Sequence, residues 1–337
     1  MPETILVTGA TGFVAKHVVR VLLDRGYRVR GSMRRASGEA AVRAAVGPAL
    51  ADPASMERFE PAILDLGADA GWEAAMQGAA GVIHVASPFP LVQPKDPAEV
   101  VRPAVEGTRR MLAAARRAGV GRVVLTSSSG AVTSKAAPDD GRAFAEADWS
   151  DLSYRTTTPY FRSKILAERA AWDEARGLPL AVVLPGFVLG PALDADISTS
   201  LQVVQRLMRG KDPMVPRVGF PVCDVRDVAL AHVSALERDE AIGQRHLIVD
   251  RFVWFAEMGR LLKAEFPDRQ IPTRTAPDLL IRGLGLFDPA LRTILPSLGR
   301  TEPVDASASL ARLDMALRPA DEAIVEGGRS LERTGAV

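Results

Sequence analysis

The sequence has a single cysteine, Cys223, and only four histidines among 337 residues. An internal disulfide is thereby excluded, and no Cys/His cluster has metal-ligand spacing. A reducing compartment is the easier reading. Net charge is almost absent too, since 42 Lys and Arg face 41 Asp and Glu for a formal +1. Such a chain has no basic footprint to neutralise a row of phosphates, which excludes a nucleic-acid binder. No run approaches the roughly 18 apolar residues of a membrane span. The start, Met1-Pro2-Glu3-Thr4-Ile5-Leu6-Val7, lacks the basic segment of a secretory signal. A soluble cytoplasmic protein with no membrane partner is expected. Trp72, Trp149, Trp172 and Trp254 are too scattered to form a binding platform.

What is present is alternation. Short runs rich in Val, Ile and Leu occupy residues 5–8, 27–33, 62–65, 81–86, 122–127 and 180–185. Nearly continuous apolar runs suit strands buried on both faces of a parallel sheet. Amphipathic helical patterns lie between them at 14–25, 97–118 and 160–176. The expected fold is α/β, a Rossmann-type doubly wound parallel sheet with a smaller C-terminal substrate lobe. Residues 1–190 form the dinucleotide-binding domain in this reading, and residues 191–337 mainly the lobe. A late strand at 246–250 rejoins the sheet, with helices at 225–236 and 253–266. Residues 36–57 form an Ala-rich insertion between the second and third strands, and the terminal stretch 326–337 reads as frayed.

Three groups of residues carry chemistry. The first strand runs into Thr8-Gly9-Ala10-Thr11-Gly12-Phe13-Val14-Ala15. A glycine turn between strand and helix lets backbone approach a pyrophosphate and aims free helix N–H groups at it. Gly9 serves the turn and Gly12 the close approach, while Ala15 stands where a third glycine is usual. Next, Tyr160-Phe161-Arg162-Ser163-Lys164 places a phenol and an ammonium one helical turn apart. A neighbouring ammonium lowers a phenol pKa from its ordinary value near 10 and makes it an acid–base. Finally, Thr126-Ser127-Ser128-Ser129-Gly130 ends a buried strand at the carboxyl edge, where open α/β sheets bind ligands. One serine hydroxyl there can donate to a substrate carbonyl, and the others cap the next helix.

Together these residues resemble the extended short-chain dehydrogenase/reductase superfamily. Further segments are similar to the group of dihydroflavonol 4-reductase, cinnamoyl-CoA reductase and methylglyoxal (aldehyde) reductase. They are Gly81-Val-Ile-His84-Val85-Ala86-Ser87-Pro88, the run from Lys164 through Glu168 to Trp172, Pro185 to Pro191, and Asp224 to His232. The resemblance runs from about residue 4 to about 270 and is loose in the tail. It implies that Tyr160 is the acid–base, that Lys164 holds the nicotinamide ribose, and that Ser128 aligns the substrate carbonyl; Ser127 and Ser129 match less well. It further implies that Asp65 and Leu66, ending the third strand, meet the adenine. Val85, Ala86 and Ser87 would line the dinucleotide, Pro185 and Val188 would pack near the nicotinamide, and Ser200 would approach a cofactor phosphate. Flavonoid-reducing members carry amide side chains where this chain has Thr133 and Pro221, which argues against a flavonoid. Phe89, Leu91, Phe187 and Phe220 point to an apolar or aromatic-tolerant pocket.

The cofactor choice reads from the second strand. In NAD-preferring relatives that strand ends on a carboxylate for the ribose hydroxyls. Here the position holds Met33, followed by Arg34 and Arg35. Arg34 can grip a 2′-phosphate with its planar fork, so NADPH is expected over NADH. The expected activity is therefore reversible reduction of an aldehyde or ketone by NADPH, acting on a small-molecule partner as monomer or homodimer. A sugar-nucleotide epimerase or dehydratase with bound NAD is the alternative enzyme. A non-catalytic dinucleotide sensor is the alternative of another class. Three residues receive plainer readings: His84 packs inside a strand, Asp227 caps a helix, and Cys223 is a small buried hydrophobe.

Overall fold

The computed structural model describes residues 2–87 and 96–337. Ten strands are present among the described residues: β1 (Thr4–Thr8), β2 (Arg28–Met33), β3 (Phe59–Ile63), β4 (Ala79–His84), β5 (Arg122–Thr126), β6 (Leu180–Pro185), β7 (Phe187–Leu189), β8 (Gly219–Asp224), β9 (Arg245–Ile248) and β10 (Arg251–Trp254). Seven form one sheet in the order β3-β2-β1-β4-β5-β6-β9, with every pairing parallel. The order reverses direction between β1 and β4, the switch point at which such sheets bind dinucleotides.

The apolar runs explain the layers. Ile5 and Val7 of β1 face one core and Leu6 the opposite one, as the two-residue period of a strand requires. The first core is covered by the helices Phe13–Asp24 and Val225–Glu237, through Val18, Leu22, Val228 and Leu236. The second is covered by the helices Ala98–Arg117 and Pro159–Glu174, through Met111, Leu112, Ile165 and Ala171. The doubly wound fold thus follows from strands with no polar face to spare.

A second sheet, β10-β8-β7, was not apparent from the alternation. In it β7 pairs parallel with β8, and β8 antiparallel with β10. The strand β10 takes the first two residues of the expected helix at 253–266, which begins at Phe255 instead. The third strand of the main sheet also lies earlier than the run at 62–65. It is the sheet edge, where Pro61 costs no ladder bond, so Asp65 stands beyond the strand rather than at its end.

The terminal stretch is not frayed. Residues Ala320–Arg333 form a helix whose Ile324 and Leu331 are fully buried in a third core with Leu201, Met258 and Leu262. Its Gly327 and Gly328 give a close approach to Leu201 and Leu262. Asp227 is likewise no cap. Asp224 caps the helix Val225–Glu237, accepting Arg226 N at 2.7 Å, whereas Asp227 is buried and receives Arg318 N at 2.7 Å. A carboxylate at the first buried turn is better satisfied by this distant backbone donor and guanidinium than by its own helix end.

Candidate active site

The glycine turn stands at the switch point. Gly9 has φ +69°, a left-handed conformation that costs a residue with a Cβ about 1–2 kcal/mol. A Cβ there would also lie 3.0 Å from that of Ala86, beyond the end of β4. The turn is held from both sides: Gly9 N donates to Ser32 Oγ at 3.0 Å, and Ala86 N donates to Thr8 Oγ1 at 3.0 Å. The Thr8 hydroxyl also shares a hydrogen bond with His84 Nδ1 at 2.9 Å. Gly12 then opens the helix Phe13–Asp24 with no side-chain cap, and Thr11, Phe13 and Val14 are half-buried around it. The first N–H groups of this helix and the two glycines of the turn fit a bound pyrophosphate. Gly9→Ala is expected to lower both Tm and the affinity for NADPH, measured by thermal unfolding and by titration.

At the neighbouring strand ends, Met33 O accepts Leu64 N at 2.9 Å, which holds the end of β2 against the residue that follows β3. Met33 is buried, so it offers nothing to a ribose. Arg34 and Arg35 are exposed and have no ion-pair partner among the described residues. Asp65 is occupied locally, accepting Gly67 N at 2.7 Å.

The helix Pro159–Glu174 carries the phenol and the ammonium. Thr158 caps it by accepting Phe161 N at 3.2 Å, and Pro159 supplies a pre-set first turn. Gly130 lets this helix approach the serine run, because a Cβ on it would lie 2.4 Å from the Phe161 ring. Lys164 is buried; its Nζ donates to Thr126 O at 3.0 Å and lies 6.0 Å from the centre of the Tyr160 ring. A small pocket joins Lys164 to Ala86, Ser87 and Ser127. Ser128 is buried, with its Oγ accepting Gly130 N at 3.2 Å. The residues expected from three separate parts of the sequence therefore meet at one end of β1, β4 and β5.

Protonation departs from expectation. Burial pushes the Tyr160 phenol up rather than down, and pulls Lys164 down to about 8 against the opposing charge of Glu168. In this arrangement the cost of desolvation exceeds the help that the ammonium gives the phenolate. Tyr160 is therefore protonated at neutral pH. His84 is held neutral, lowered to about 3 by burial and by Lys164. The Cys223 thiol is buried and pushed up by desolvation, as a small hydrophobe would be.

The other expected residues Ser200, Phe187 and Phe220 lie on or beside the second sheet. Ser200 donates to Val188 O at 2.5 Å, which ties the helix Thr199–Arg209 to the segment after Pro185. Phe187 and Phe220 stack with ring centres 4.6 Å apart. Phe89 and Leu91 lie outside the described residues. Thr133 gives its hydroxyl to Glu302 at 2.8 Å, and Pro221 sits within β8 opposite Phe252. Thr8, Ser32, Glu168 and Arg245 are site-building residues to which no role had been assigned. A polar side chain inside an apolar run was the available signal for the first two.

A doubly wound sheet with a glycine turn at its switch point and a Tyr–Lys helix beside β5 defines an oxidoreductase of the extended short-chain dehydrogenase/reductase type. The chain belongs to the NAD dependent epimerase/dehydratase family, whose match spans residues 5–249. It is 36% identical over 278 residues to cinnamoyl-CoA reductase 1 of Arabidopsis thaliana, covering 81% of this chain and 77% of that one. It is 39% identical over 269 residues to cinnamoyl-CoA reductase 1 of Oryza sativa, covering 79% and 76%. The crystal structure of yeast methylglyoxal/isovaleraldehyde reductase Gre2 complexed with NADPH superposes with a TM-score of 0.80 at 27% identity, covering 99% of this chain and 100% of that one. No helix among the described residues is long and apolar enough to cross a membrane.

Proposed function

We propose that the protein is an NADPH-dependent carbonyl reductase that converts an aldehyde or ketone to the alcohol, reversibly. The observation that carries this reading is the convergence of Lys164, Tyr160 and the serine run beside the Gly9–Ala86 contact. NADPH, when bound, supplies the hydride. Thr11, Phe13 and Val14 hold its pyrophosphate through backbone N–H groups, while Gly9 and Gly12, whose own N–H groups are bonded to Ser32 Oγ and Gly9 O, let the backbone come close to it. Arg34 takes the 2′-phosphate, and Asp65 and Leu66 border the adenine. Val85, Ala86 and Ser87 line the dinucleotide; Pro185 and Val188 border the nicotinamide, and Ser200 approaches a cofactor phosphate. Lys164 holds the nicotinamide ribose with donors left after its bond to Thr126 O.

In the reducing direction Ser128 and Tyr160 both donate to the substrate oxygen, which polarises the carbonyl. Tyr160 then gives up its proton as the alkoxide forms. A phenol kept protonated by burial is the correct starting state for that step. The stacked Phe187 and Phe220 favour an apolar or aromatic substrate. With Thr133 committed to Glu302 and Pro221 lacking an amide, no flavonoid is required.

NADPH consumption against a panel of aldehydes and ketones tests the reading, with a nucleoside-diphosphate sugar as the contrasting substrate. Turnover of the sugar without net consumption of cofactor would instead favour an epimerase. Ser128→Ala is expected to slow turnover while leaving the circular dichroism spectrum unchanged. If Ser129→Ala is the damaging change, the hydroxyl acting on substrate is one residue further along.

A further inference from the structure

One charged pair near the site is buried. Glu168 has no exposed surface, and its Oε1 receives Arg245 Nε at 2.6 Å from β9. Its Oε2 receives the Ser127 hydroxyl at 2.6 Å, and Trp172 Nε1 lies 3.4 Å from Oε1. Arg245 is fixed in turn: its guanidinium stands 3.8 Å from the centre of the Trp149 ring and donates to Glu146 O and Asp148 O. Taking two charges out of water costs several kcal/mol per ion, and apolar residues of similar size would often serve a fold equally well. The place of this pair is the informative feature. Glu168 lies one helical turn beyond Lys164, and Ser127 immediately precedes Ser128.

We propose that Glu168, anchored by Arg245, is a positioning residue for the reductase chemistry: its carboxylate fixes the Ser127 hydroxyl at the end of β5 and sets a negative charge beside Lys164. The inference rests on the proposed roles of Lys164 and Ser128. Fixing Ser127, whose N–H also donates to Val183 O at 2.8 Å, sets the direction in which the chain leaves β5 and so where Ser128 stands. The charge acts on Lys164. Around that ammonium stand Tyr160 and Glu168 on its own helix and His84 on β4. Beyond Thr126 is His232, while Arg245 lies behind Glu168. Both histidines are held neutral by burial, with Lys164 lowering each further. Beside its bond to Thr126 O, the charged form of Lys164 is favoured by Glu168, whose carboxylate acts against the burial.

The signs follow directly. Lys164 is lowered to about 8 despite Glu168, so removing the carboxylate lowers it further. Activity that needs the ammonium is then lost at a lower pH as pH rises. Glu168→Gln keeps the shape and removes the charge. The expected result is a kcat lower by roughly tenfold or more at neutral pH, with the alkaline limb of the kcat profile moved acidward by about one pH unit or more. Because that variant leaves Arg245 unpaired, the double variant Glu168→Gln with Arg245→Met is made in parallel; it removes both buried charges and is expected to move the limb in the same direction. Ser127→Ala is expected to lower kcat without moving the limb. A folded single or double variant whose limb stays in place overturns the proposal, as does a Ser127→Ala enzyme with full kcat. Tyr160→Phe runs beside them. If it keeps its turnover, the underlying reductase reading fails; if it is inactive while the Glu168 variants behave as the parent, only the positioning role fails.

Discussion

Tyr160→Phe is expected to lower kcat by about two to four orders of magnitude, the range for a lost general acid. The substitution removes one oxygen and keeps the ring, so the packing against Phe161, 5.8 Å between ring centres, is retained. NADPH affinity should change little, because Lys164 remains bonded to Thr126 O and the glycine turn is untouched. The split between turnover and binding is the diagnostic. Burial raises the Tyr160 pKa, so the parent enzyme is poised as an acid and the reduction should be the better-served direction near neutral pH. Alcohol oxidation needs the phenolate and is expected to quicken as pH rises, up to the loss of the Lys164 charge around 8. Near-parental kcat in Tyr160→Phe would remove this residue from the mechanism.

The second large effect concerns cofactor choice. Arg34 follows a buried methionine at the end of β2, is exposed, and has no ion-pair partner among the described residues. A charge-assisted contact to a 2′-phosphate is worth about 1.5–3 kcal/mol, which converts to a loss of roughly 10- to 150-fold in kcat/KM for NADPH in Arg34→Ala. NADH, lacking that phosphate, should be affected little. Arg35→Ala is expected to show a smaller loss of the same kind. Equal losses with the two cofactors would mean that Arg34 only supports the adenine, and a parent enzyme preferring NADH would refute the assignment.

Much of this site could be read before the fold was known, because its parts are local. A strand, a glycine turn and a helix start are contiguous from Thr4 to Val14, and a Tyr–Lys pair one turn apart declares its helix by spacing alone. The elements that escaped notice lack such local patterns. Strand β7 is three residues long, and β8 contains Pro221, so neither shows the run expected of a buried strand. The C-terminal helix buries a face built partly from Gly327, Gly328 and Ser330, small residues whose burial depends on close approach rather than on hydrophobicity. The Glu168–Arg245 pair spans 77 positions, and nothing local to either residue announces the other. The phenol pKa was misjudged for a related reason: the Tyr–Lys spacing is visible in sequence, but the desolvation that outweighs it is created by the whole fold.

In the proposed reaction, hydride passes from NADPH to a substrate carbonyl under the control of Tyr160. The most direct measurement uses NADPH carrying deuterium at its transferable position, with an aromatic or aliphatic aldehyde, in the parent enzyme and in Tyr160→Phe. The parent should place deuterium on the carbinol carbon of the alcohol, one for each NADPH consumed, while the variant transfers it slowly or not at all. An alcohol free of label, or label transferred at equal rates by both enzymes, would contradict the account.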